Sequence, residues 1–175
     1  MTAQPSQDPL PIRPEGTRPA SPRPPVVTDI LLIEDSPLEV ELTLRPIQEL
    51  DPGRTIEVAR DGEEALDFLF ARGRFRHRTS MPPPRLILLD LKLPRLDGFD
   101  VLRAIRTNSR TSTVPVVVLT SSDDPRESAQ CYKLGANSCV QKPVRSEALQ
   151  AVLQAVAHYW LSLNQAPPGP ALPLA

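Results

Sequence analysis

The stretch LILLDLKLPRLDG, residues 86–98, decides the fold. Four aliphatic residues run without polar alternation into Asp90, as in a strand buried on both faces of a parallel sheet. Pro94 and Gly98 shape the loop that follows, and Asp97 is placed to cap a helix over Gly98–Thr107. A strand, a loop and a helix thus meet at one acid. Similar aliphatic runs lie on either side: DILLIE at 29–34, VVVLT at 116–120 and SCV at 138–140. TIEVA at 55–59 is more mixed, which suits an edge.

Amphipathic segments separate these runs. Ser36-Pro37-Leu38-Glu39 reads as a capping box with proline at the first helical position. The helix it opens runs toward Leu50, with Pro46 inside it as an expected kink. Helices are also expected over Glu63–Phe70, from Asp124-Pro125 to near Gly135, and from Ser146 to about Leu163. Five strands alternating with five helices give an α/β doubly wound parallel sheet with right-handed crossovers, whose site lies at the carboxyl ends of the strands. Glu34 and Asp35 end the first strand, Asp90 the third and Thr120 the fourth, and Lys142-Pro143 follows the fifth. Clustered carboxylates need a cation, and oxygen ligands with few protein contacts favour Mg²⁺. A carboxylate ionised at neutral pH can attack phosphorus without a general base. A metal ion, an ammonium and a hydroxyl can then stabilise the phosphoryl oxygens.

In the order ILLIEDS, LILLDLKLPRLDG, VVVLTSS and KP, the sequence resembles the receiver domains of two-component response regulators over about residues 28–163. The resemblance implies a flavodoxin-like five-stranded sheet of order 2-1-3-4-5. It implies that Asp90 is the phosphoacceptor, that Glu34, Asp35, Asp90 and the backbone carbonyl of Lys92 hold Mg²⁺, and that Thr120 and Lys142 contact the phosphoryl group. It also implies a cis Lys142–Pro143 bond. ALDFLFARGRF, the long connection before LILLDLKLP and the extended last helix look like the stand-alone regulators paired with phytochrome kinases. The implied function is that of a single-domain regulator taking its phosphoryl group from a sensor histidine kinase of phytochrome type, and not an enzyme in its own right.

Receivers commonly carry an aromatic residue three positions before the lysine, and here that switch position is Cys139. Arg72, Arg74, Arg76 and Arg78 alternate through a long connection, read as a solvated basic loop. Tyr159, Trp160, Leu161 and Leu163 crowd the end of the last helix and are expected to form a homodimer surface.

Composition agrees with one folded unit. The chain has 175 residues with a net charge of -1, so it calls for no nucleic-acid partner. No apolar run approaches the ~20 residues of a membrane span. Eight of the 22 prolines fall in the first 25 residues and four in the last nine. Residues 1–26 and 165–175 therefore read as disordered Pro-rich tails around a domain over 27–164, with no output module following. Cys131 and Cys139 form no disulfide framework and read as cytosolic thiols, which makes the chain cytoplasmic. A haloacid-dehalogenase-type phosphatase needs a second acid where Lys92 stands, and a nucleotide binder would not place acids after its first strand. A phosphorylation-independent adaptor, or a phosphate shuttle or sink, is the alternative on the same fold.

Overall fold

The computed structural model describes residues 27–165, so the Pro-rich tails lie outside the described residues except for Gln165. Five strands, β1 (Ile30–Ile33), β2 (Ile56–Ala59), β3 (Leu86–Asp90), β4 (Val116–Thr120) and β5 (Ser138–Gln141), form one parallel sheet of order β2-β1-β3-β4-β5. This is the doubly wound, flavodoxin-like arrangement. The three continuous aliphatic runs occupy the centre and are wholly buried, whereas the mixed β2 and the short β5 take the edges. Aliphatic β-formers need neighbours on both faces, and only central positions supply them.

Side chains alternate between two cores. On one face, Leu31, Ile33, Ile87, Leu89, Val116 and Val118 meet the helices α2 (Gly62–Leu69), α3 (Gly98–Thr107) and α4 (Pro125–Lys133). On the other, Ile30, Leu32, Leu86, Leu88, Val117 and Leu119 meet α1 (Pro37–Leu50) and α5 (Ser146–His158). Caps start the helices. Asp61, Asp97 and Asp124 accept from the backbone N–H groups of Glu64, Asp100 and Arg126 at 2.8, 2.9 and 2.8 Å. Helix α1 runs on through Pro46, whose ring is buried.

Three expectations change. The basic connection contains a 3-10 turn at Gly73–Arg78, and Arg78 is buried, not solvated, with its guanidinium 3.7 Å from the Phe68 ring centre. Phe75 packs edge-on against the same ring at 5.3 Å. The last helix is α-helical only to His158, and a π-helical turn carries Tyr159–Leu163 back onto the sheet. Leu161 is consequently core, 5% exposed, and Trp160 packs against the α1–α5 face. Leu161 is thereby withdrawn from the expected dimer surface, and the guanidinium of Arg85 donates to its carbonyl at 2.9 Å and ties the turn down, whereas Trp160 keeps part of its surface exposed. Tyr159 and Leu163 stay exposed. Finally, no peptide bond among the described residues is cis, so Lys142–Pro143 is trans.

Candidate functional site

Strand register brings the site together. Ile33 pairs with Leu89, so Glu34 and Asp90 stand level, one residue beyond the pair. Asp90 pairs with Leu119, which puts Thr120 one step past it on β4. The backbone N–H of Lys142 donates to the Thr120 carbonyl at 2.7 Å, which brings the lysine to the same rim.

The Asp90 carboxylate is buried and takes two hydrogen bonds. Its Oδ2 accepts from the backbone N–H of Lys92 at 2.7 Å and its Oδ1 from the Lys142 ammonium at 3.0 Å. Lys142 also donates to Glu34 Oε2 at 2.8 Å and to the carboxylate of Glu39. Among the described residues, the acids whose oxygens converge within 4.8 Å are Glu34, Glu39 and Asp90. Asp35 is exposed beside this cluster and outside it. Thr120 is buried, and its Oγ1 accepts from the backbone N–H of Ser122 at 3.0 Å. The side chain of Lys92 is exposed.

One ammonium serves three carboxylates, and the charges respond. Burial pushes the Glu34 carboxyl above its ordinary range against the pull of Lys142. The hydrogen bond to Lys142 holds Glu39 below its ordinary range. Burial alone would lower the Lys142 ammonium, but hydrogen bonds to Glu34 and Glu39 and the charge of Asp90 outweigh it and raise it.

Glu39 is the residue the sequence pattern assigned elsewhere. As the fourth residue of a capping box it should reach back to the Ser36 N–H. The Ser36 hydroxyl does accept from the Glu39 N–H, at 3.4 Å, but Glu34 Oε1 takes the Ser36 N–H at 3.1 Å and the Glu39 side chain turns to Lys142 instead. Nothing local announces that contact. The partner is 103 residues away and only the fold brings it near.

Cys139 lies half-buried on β5 against the core that holds Cys131. Its backbone N–H donates to the hydroxyl of Tyr132, on α4, at 3.3 Å.

Gly98 completes the floor. A Cβ there would stand 2.6 Å from the Asp90 carbonyl oxygen and 2.6 Å from Leu91 Cα, both backbone atoms that cannot step aside. Only glycine lets α3 begin this close to the end of β3.

Comparison with known proteins agrees with this arrangement. The family model for the response regulator receiver domain matches residues 30–154. The probable methanogenesis regulatory protein FilR2 of Methanothrix harundinacea is 38% identical over 142 residues, 81% of this chain and 88% of that protein. Response regulator Rcp1 of Synechocystis is 34% identical over 132 residues, 75% of this chain and 88% of that protein. Among solved structures, the phosphorylated cyanobacterial phytochrome response regulator RcpA superposes with a TM-score of 0.75 at 29% identity, over 82% of this chain and all of that one. The bacteriophytochrome response regulator RtBRR gives 0.65 at 39% identity, over 82% of this chain and 86% of that one. The receiver match runs across all five strands and so takes in both the acid at the end of the third strand and the lysine beyond the fifth, and the chain belongs to the response regulator receiver domain family.

Proposed function

We propose that Asp90 accepts a phosphoryl group from a sensor histidine kinase, and that the chain signals by being phosphorylated. The observation that carries this is the Asp90 carboxylate itself. It is buried at the rim of the sheet and oriented by the Lys92 N–H and the Lys142 ammonium at 2.7 and 3.0 Å. A carboxylate oxygen forms the new bond to phosphorus. The bond from phosphorus to the donor breaks, and the donor leaves with the electron pair. Lys142 stays to balance charge on the transferred oxygens, and the Thr120 hydroxyl, which already accepts from Ser122, has a proton to donate to them. The chain then acts as a phosphoacceptor that loses its group to water, not as an enzyme with a separate substrate.

The donor set fits Mg²⁺. It offers oxygen only, from Glu34 and Asp90, with Asp35 exposed alongside and the Lys92 carbonyl next in the loop. When bound, the ion supplies positive charge for the phosphoryl oxygens. A Mn²⁺-bound form is known for Rcp1, a relative that aligns over 79% of this chain, which favours a divalent cation here as well.

The phytochrome and bacteriophytochrome response regulators among the similar solved structures support a kinase of phytochrome type as donor. No described helix is long and apolar enough to cross a membrane. The expected homodimer would use the exposed Tyr159 and Leu163 together with the open part of Trp160, and sedimentation of the wild type beside Tyr159→Ser checks it.

The test of phosphoacceptance is intact-mass spectrometry after incubation with Mg²⁺ and acetyl phosphate. One added phosphoryl group is expected on the wild type and none on Asp90→Asn. No gain on a folded wild type would favour an adaptor that keeps the fold without the chemistry.

A further inference from the structure

Lys142 has three N–H donors and the structure spends all three. They go to Glu34, Asp90 and Glu39. The three acceptors are not equivalent. The side chains of Glu34 and Asp90 are 4% and 10% exposed, whereas that of Glu39 is 43% exposed. Glu34 is further tied to the Ser36 N–H, and Asp90 to the Lys92 N–H. Glu39 stands apart from the strand ends, in the first turn of α1, and faces an open groove with Leu38, Leu42, Ser121 and Val144. It has given up its place in the capping box to make this contact.

A phosphoryl group on Asp90 brings new oxygens that need a donor. Asp90 then carries the phosphoryl group and is no longer a free carboxylate, and Glu34 is walled in, where a carboxylate left without a cation is costly. The half-exposed carboxylate can turn into water at little cost. We infer that Glu39 is a positioning residue that holds the third donor of Lys142 in place until a phosphoryl oxygen displaces it. This rests on the reading of Asp90 as phosphoacceptor. Glu39 thereby keeps the lysine aimed at the site while opposing the arrival of the phosphoryl group, because contact and charge must both be given up.

The test compares rates of phosphoryl acceptance from acetyl phosphate with Mg²⁺ in four proteins, read by intact mass. They are the wild type, Asp90→Asn, Glu39→Gln and Glu41→Gln. Glu41 lies on the same helix, exposed and paired with Arg45, so its loss removes the same charge without touching Lys142. Glu39→Gln is expected to accept roughly two- to fivefold faster than the wild type, the range of a half-exposed ion pair, with Glu41→Gln unchanged. An equal rise in both variants would reduce the effect to general charge and overturn the inference. So would an unchanged or slower Glu39→Gln. If the wild type gains no phosphoryl group, the reading of Asp90 as phosphoacceptor falls and takes this inference with it. If the wild type gains it and Glu39→Gln matches its rate, only the inference falls.

Discussion

At the scale of single residues, the Lys142 ammonium decides whether the rim of the sheet holds together. Glu34 and Asp90 are acids at the ends of two central strands, and without a cation they would repel in a buried place. Lys142→Met leaves them uncompensated, and loss of one partner from a buried pair costs about 3 kcal/mol. We expect that loss in urea melts at pH 7.5. It should shrink as the pH is lowered, because burial already raises the Glu34 carboxyl and protonation removes the stranded charge. A deficit as large at pH 5 as at pH 7.5 would contradict this account. In the wild type the signs are separate. Lys142, held above its ordinary range, contributes stability that is full below about 10.4 and lost only as the pH climbs through its raised value. Glu39, held low, contributes stability that is present above about 4.3 and lost as the pH falls through its lowered value. Asp90→Asn should be the mild partner to Lys142→Met, since it removes one of the repelling charges.

At the scale of elements, tight joints place the site. Gly98 lets α3 start against the backbone that carries Asp90, so Gly98→Ala must push α3 or the end of β3 aside. Such overpacking costs about 1–3 kcal/mol. We expect lower stability in urea and slower phosphoryl acceptance together, because the displaced backbone is that of Asp90 itself. Acceptance at the wild-type rate would mean the strain is absorbed in α3. Helix α4 carries a different consequence. Cys131 is fully buried on it, and burial first, then Cys139, pushes its thiol up to about 12. It therefore stays protonated and unreactive at pH 8. Cys139 on β5 is half-buried. One thiol should react with a soluble alkylating reagent in the native state and two in urea, as counted by mass. These elements were legible in the sequence because their signals are local. Unbroken aliphatic runs marked the three central strands, and caps at Ser36, Asp97 and Asp124 marked three helix starts. What escaped was nonlocal. Arg78 looks solvated in a run of arginines until Phe68 is folded under it, and Trp160 and Leu161 look exposed until the π-helical turn returns them to the α1–α5 face. Glu39 obeyed a local rule on paper and a tertiary contact in the structure.

At the scale of the whole molecule, the chemistry and the apolar surface meet on one side. Leu38 and Leu42 on α1 are 65% and 37% exposed, and Val144, just beyond Lys142-Pro143, is fully exposed. With Ser121 and Leu149 they line a groove that Lys142 itself enters. A small donor such as acetyl phosphate needs only to reach the Asp90 carboxylate. A protein donor must bring its phosphorylated side chain to the same oxygen, and its bulk has to rest on whatever surrounds the mouth. Exposed aliphatic side chains at that mouth are left uncovered by the described residues, and patches of this kind mark contact surfaces. The two kinds of donor can therefore be separated. Leu38→Asp and Val144→Asp should leave acceptance from acetyl phosphate near the wild-type rate, because neither side chain touches Asp90, Thr120 or Lys142 by a hydrogen bond. The same variants should slow transfer from a phosphorylated histidine kinase by roughly tenfold, the loss on the order of 1.4 kcal/mol expected when an apolar anchor is replaced by a charge. Equal slowing with both donors would place the damage in the site rather than in the docking surface. Unchanged transfer from the kinase would move that surface away from α1 and the turn after β5.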